Sequence, residues 1–188
     1  MANFAHSVLG DKAVNSIGRG LHHIGVPLWS SALPTATPSR MPMQNAMARK
    51  VVYFPSCINQ TMGGTPEEGK PVPALIETMV RLCNKAGYEV IFPEGMKNMC
   101  CGMIWESKGM PDIADAKLAD LEKALAQASE NGKYPVVCDQ SPCLHRMRDH
   151  ITSMRLYEPA EFIATYLAPH LDFHPTDEPV AVHITCST

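Results

Sequence analysis

Cys100-Cys101-Gly102 is where this chain concentrates its chemistry. Neighbouring side chains point in different directions on a helix or strand, so packing alone accounts poorly for two adjacent cysteines. A loop ending in glycine can turn both thiols toward one place, because glycine adopts backbone angles that other residues avoid. Single cysteines flank the pair at similar distances, Cys57 before it and Cys143 after it. Soft thiolates gathered at one point suit an iron–sulfur cluster or zinc. The competing explanation is burial, since free cysteine is often an inert small core residue. It applies best to Cys83, on the apolar face of a predicted helix. Cys138 ends a predicted strand and can face core or site, with the core expected.

Other reactive side chains near these cysteines carry less. His145 and His150 follow Cys143 and are candidate ligands, although a solvated helix face is their expected place. Glu106 and Lys108 can pair with each other or touch a cofactor, with exposed charge the default. Met96, Met99, Met103 and Met110 surround the Cys-Cys-Gly loop and suit an irregular apolar wall that shields a cluster from water. Gly63-Gly64 lacks the spacing of a phosphate-binding loop. Spacing alone picks out neither paired carboxylates nor a Ser-His-Asp arrangement.

Composition narrows the class. The 188 residues, 45% hydrophobic, suffice for one domain with a real core. A net charge of -3 argues against nucleic-acid binding, which calls for a basic stripe. No apolar run approaches the roughly 20 residues of a transmembrane segment. Asp11, Lys12, Asn15 and Arg19 interrupt any secretory apolar core, so seven cysteines read as thiols or metal ligands in the cytoplasm rather than as disulfides.

The elements that must position the thiols follow from periodicity. Residues 3–24 read as a weak helix pair without a partner of its own, and the proline-bearing stretch 27–47 reads as a linker, together an N-terminal segment over 1–49. The ordered domain, 50–178, opens at Lys50 with a strand over 51–54, delivering Cys57. A flexible loop containing Gly63, Gly64 and Gly69 precedes a helix whose apolar face is Leu75, Met79, Leu82, Cys83 and Ala86. A strand over 88–92, a helix over 112–131 with Ala114, Leu118, Leu121, Leu125 and Ala128 on one face, and a strand over 134–138 come next. A short helix over 144–152, a strand over 154–157 and a helix over 160–167 complete the pattern. Alternating strands and helices predict an α/β domain with a parallel sheet built from βαβ units. All three cysteine loops then follow strands and share one rim, where open α/β sheets place their sites.

Residues 180–186, Val-Ala-Val-His-Ile-Thr-Cys, repeat the arrangement of 51–57. They read as the first strand of a second copy of the module over 179–188, cut short, with Cys186 a ligand of a second site.

With Cys57, Cys100-Cys101-Gly102 and Cys143 assembled, the chain resembles the cysteine-rich CCG domain. That domain occurs in a subunit of heterodisulfide reductase, in glycolate oxidase iron–sulfur subunits and in lactate-utilisation proteins. Fuller segments resemble one branch, the C-terminal region of large bacterial FAD-linked D-lactate dehydrogenases of the cytochrome or quinone type. They are Tyr53-Phe54-Pro55-Ser56-Cys57-Ile58-Asn59, Cys100-Cys101-Gly102-Met103 with Glu106-Ser107-Lys108-Gly109, Ser141-Pro142-Cys143 and His183-Ile184-Thr185-Cys186-Ser187-Thr188. The resemblance covers about residues 50–188, and residues 5–29 look like a connection to a ferredoxin-like module. It implies an oxidoreductase in which upstream FAD-binding and ferredoxin-like domains feed electrons to this module, and a cytochrome or quinone accepts them. Cys57, Cys100, Cys101 and Cys143 then map onto ligands of an iron–sulfur cluster of the 4Fe-4S type. The location implied is the cytoplasm or the inner face of its membrane. The flavin domain is absent here, so this chain alone is not expected to oxidise lactate. Gln140 stands at the first position of the motif's closing Cys-x-x-Cys. That counts against a five-cysteine, non-cubane cluster and leaves a four-thiolate cluster or an empty, degenerate site. A structural zinc site and a metal-free docking domain are the alternatives from other classes.

Overall fold

β-Branched and aromatic residues form the central strand, β1 (Arg49–Phe54), and bury Val51, Val52, Tyr53 and Phe54 almost completely. A computed structural model describes residues 2–25, 28, 46–61, 73–174 and 177–182. After β1 come α2 (Cys57–Thr61), α3 (Leu75–Lys85), β2 (Tyr88–Ile91), α4 (Met103–Glu106), α5 (Pro111–Ala128) and β3 (Val136–Cys138). They are followed by α6 (Ser141–His150), β4 (Leu156–Tyr157) and α7 (Pro159–Phe162), which runs on through a π-helical turn, Ile163–Leu167. The four strands form one parallel sheet in the order β2-β1-β3-β4, with Val51 opposite Val90 and Val52 opposite Val136.

Both faces of the sheet are covered, which is why its strands are nearly continuous apolar runs. Val51 and Tyr53 pack with Ile76, Met79, Val80 and Cys83 of α3 and with Phe162 and Leu167. Val52 and Phe54 point the other way, onto Leu118, Leu121 and Leu125 of α5 and Leu144 and Met147 of α6. Burying each of those leucines stabilises the fold by roughly 1.5–3 kcal/mol. The chain runs outward from β1 to β2, then returns to lay β3 on the other side of β1. A doubly wound sheet opens a crevice at such a reversal, beyond the carboxyl ends of the strands.

The expected α/β parallel architecture is therefore present, with local differences. Of the expected α3 face, Met79, Cys83 and Ala86 are buried and Leu82 packs partly buried against the core, while Leu75 is exposed and Ile76 and Val80 are buried in addition. Ile76, Met79, Val80 and Cys83 stand at i, i+3, i+4 and i+7, a stripe that shares Met79 and Cys83 with the expected one. Helix α6 starts at Ser141, three residues earlier than expected, because Pro142 is favourable in a first helical turn. Strand β4 shortens to two residues. Residues 180–182 carry no strand, and Val180 and Val182 are 78% and 82% exposed, since extended chain needs a neighbour to pair with. Cys186 lies outside the described residues, as do Gly63, Gly64, Gly69 and most of the proline-bearing stretch. Near the N-terminus, α1 (Ala2–His22) is two helical pieces joined at Gly10 (φ 71°), the expected pair, with Ile17 and Leu21 exposed.

Candidate metal centre

Each cysteine reaches the carboxyl rim by its own route. Pro55 and Ser56 turn the chain out of β1 into α2, whose first residue is Cys57. Ser56 is buried and caps that turn, its Oγ accepting from the Asn59 N–H at 3.3 Å and its carbonyl from the Gln60 N–H at 3.0 Å. Cys57 itself is exposed. Beyond β2, a 3-10 turn (Met96–Asn98) leads to half-buried Cys100 and to Cys101, which is 4% exposed in the α5–α6 core. Beyond β3, Cys143 lies in the first turn of α6 rather than in a loop.

Gly102 explains the third letter of the motif. Its φ is +88°, and a Cβ built on it would lie 2.4 Å from the Ala114 carbonyl oxygen of α5. Only glycine combines that left-handed angle with so close an approach. The Gly102 N–H donates to Cys100 Sγ at 3.4 Å, and α4 starts from the Gly102 carbonyl, which accepts from the Trp105 N–H at 2.9 Å.

Hydrogen bonding from the Cys143 thiol holds Cys101 below the ordinary thiol range against the opposing effect of burial, with help from the Met103 N–H. Cys143 is correspondingly raised, by that bond first and then by burial. Burial raises Cys100, partly offset by the Gly102 N–H. Cys57 is near enough to raise both Cys100 and Cys143 electrostatically. Cys101, Cys143 and Cys100 thus share one electrostatic neighbourhood, with Cys57 exposed at its edge. Among the described residues, no three His, Cys, Asp or Glu side chains converge on a common metal position.

Two polar tethers hold these segments, and neither was visible in the sequence. Asp139, directly after β3, accepts from the Tyr53 hydroxyl at 2.6 Å and the Ser56 N–H at 2.7 Å, joining the ends of β3 and β1. Burial and the Asp139 carboxylate together push the Tyr53 phenol far up. Arg146 of α6 is 2% exposed; its Nη1 and Nη2 meet Glu106 Oε1 and Asp115 Oδ1, each at 2.6 Å, and its Nε donates to the Cys101 carbonyl at 3.1 Å. Glu106 therefore pairs with Arg146, not with Lys108. The one available signal was position: Arg146 lies three residues after Cys143, on the same side of α6.

The remaining candidates separate as their surroundings dictate. Cys83 and Cys138 are buried core thiols, 1% and 0% exposed, and burial pushes each up to about 12. His145 is exposed beside Asp149 at 3.6 Å, and the His150 ring meets the Arg146 carbonyl at 3.0 Å. Met96, Met99 and Met103 pack against the core, whereas Met110 is exposed.

A doubly wound parallel domain that brings cysteines from three strand ends to one rim is, by class, a thiol-site scaffold. The model of the cysteine-rich domain family, CCG, matches residues 51–148, more than half of the chain. The chain belongs to that family, and membership supports a metal- or iron–sulfur-binding module. No curated protein and no solved structure matches it. Among the described residues no helix is long and apolar enough to cross a membrane. By their chemistry, soft thiols such as these are compatible with a thiolate-bound cluster or zinc.

Proposed function

We propose that this chain is an electron-transfer module whose Cys57, Cys100, Cys101 and Cys143 hold an iron–sulfur cluster of the 4Fe-4S type. The observation that supports the reading is that the ends of β1, β2 and β3 put Cys57, Cys100, Cys101 and Cys143 in one electrostatic neighbourhood beside the reversal of strand order. When bound, the cluster supplies one-electron transfer. The chain's part is to present thiolates, to shield them with Met96, Met99 and Met103, and to aim the Gly102 N–H at the Cys100 sulfur. The resemblance in residues 50–188 supports a finer proposal. The module serves a FAD-dependent D-lactate or related D-2-hydroxy acid dehydrogenase, between flavin and ferredoxin-like domains and a cytochrome or quinone. On this reading residues 50–178 form one cysteine-rich domain, and Cys186 belongs to a second site in a repeat of it.

The test is iron, acid-labile sulfide and zinc content of the full chain purified without oxygen, beside Cys100→Ser and Cys143→Ser. Brown protein whose iron and sulfide fall together in both variants is the expected result. Zinc in place of iron moves the reading to a structural site, and neither metal leaves a docking domain.

A further inference from the structure

Arg146 is the one charged side chain fully buried among the described residues, and it is buried against the Cys-Cys-Gly turn. Burying a guanidinium is costly unless its donors are matched. Here all three acceptors come from different segments: Glu106 from α4, Asp115 from α5 and the Cys101 carbonyl from the turn itself. Two of them are carboxylates largely at the surface, with side chains 45% and 62% exposed. Those ion pairs need not have been buried to form. What burial achieves is delivery of Nε to the Cys101 carbonyl.

That carbonyl and the Gly102 N–H belong to one planar peptide group, in which C=O and N–H point in opposite directions. Arg146 takes the oxygen end at 3.1 Å, and Cys100 Sγ takes the hydrogen end at 3.4 Å. Arg146 lies three residues after Cys143 on α6, so the helix that carries one candidate thiol also holds the Cys101 carbonyl.

We propose that Arg146 is the positioning residue of this site, orienting the Cys101–Gly102 peptide so that its N–H is presented to the Cys100 sulfur. The role deepens the metal-thiolate reading and rests on it for its consequence, since a hydrogen bond to a ligand sulfur tunes a cluster's potential. A lysine keeps the charge but lacks the planar fork that serves three acceptors at once.

The experiment is amide hydrogen exchange on the full, reduced, metal-free chain, comparing wild type with Arg146→Met and Arg146→Lys. The Gly102 amide should exchange at least about tenfold faster in Arg146→Met while the amides of Val52 and Leu121 keep their rates, and Arg146→Lys should restore part of the protection. If Arg146→Met does not fold, Arg146→Lys carries the test, with selective loss at Gly102 still expected. Unchanged Gly102 exchange overturns the proposal. So does a parallel rise at Gly102, Val52 and Leu121, which would make Arg146 a general stabiliser. In cluster-loaded protein the same variants should show a more negative reduction potential. A wild type that binds no metal would refute the metal reading alone, because the exchange result is read without it.

Discussion

Gly102→Ala tests the geometry on which the Cys-Cys-Gly turn depends. At φ +88° an alanine is held in the left-handed region, which costs about 1–2 kcal/mol. Its Cβ would also stand 2.4 Å from the Ala114 carbonyl oxygen and 3.0 Å from the carbonyl carbon and Cα of the same residue. These are backbone atoms of α5, so no side chain can swing away. The helix must move, and Leu118 and Leu121 move with it out of the core against β1 and β3. Overpacking of that kind adds about 1–3 kcal/mol. The sum, about 2–5 kcal/mol, corresponds to a melting temperature lower by roughly 4–20 °C in a chain of this size. Gly109→Ala separates the two contributions, because Gly109 has φ +74° and nothing within 4 Å of a built Cβ. It should lose only the conformational part, about 1–2 kcal/mol. Urea unfolding of the metal-free, reduced protein gives both values on one scale. If Gly102→Ala is no less stable than Gly109→Ala, the close approach to α5 is not what the turn requires, and the reasoning fails.

Two titrations follow from the buried thiols. Burial raises Cys83 from the ordinary 9.0 to about 12, so the folded chain keeps a proton that the unfolded chain releases. That stability is whole below pH 9 and declines as pH rises toward 12, by up to about 1.4 kcal/mol per pH unit. Cys83→Ala should flatten the alkaline fall in urea midpoint, and an unchanged slope would count against the burial argument. Cys101 runs the other way: its folded-state pKa is held below the ordinary 9.0, so its contribution is whole above pH 9 and is lost as pH falls through the lowered folded value. Thiolate absorbance of the metal-free protein should therefore show a cysteine that ionises below the ordinary thiol range and shifts back up in Cys143→Ala, and its absence from the wild type would refute the interaction between the two thiols.

The scaffold was legible in the sequence because burial on two faces leaves a strong trace. Residues 51–54 and 134–138 are apolar runs and 88–92 is interrupted only by Glu89, each bounded by proline, glycine or polar residues, and the stripe of α5 matches residue for residue through Leu125. Places where two patterns compete were not resolved. Leu75 and Ile76 begin equally good stripes on α3, and the contact with Val51 and Tyr53 decides between them. The start of α6 turned on Pro142, which reads as a breaker in isolation and as a first-turn residue once Gln140 precedes it in extended backbone.

The cysteines were legible for a different reason: their type announces chemistry wherever they fall, and βαβ order alone puts the ends of β1, β2 and β3 on one rim. Asp139, Tyr53 and Arg146 were invisible because their roles exist only across the fold, linking positions 31 to 86 residues apart along the chain. They also change what the site is. Asp139 ties the Ser56 turn to β3, and Arg146 ties the Cys101 carbonyl to α6, so the backbone at the rim is fixed by protein contacts. The thiols are not fixed to the same degree. The Cys101 backbone is held at its carbonyl, Cys100 accepts one N–H, and Cys57 stands exposed on α2. On the proposed reading, a ligand set graded in this way assembles from Cys101 and Cys143 outward, with Cys57 the thiol that closes it.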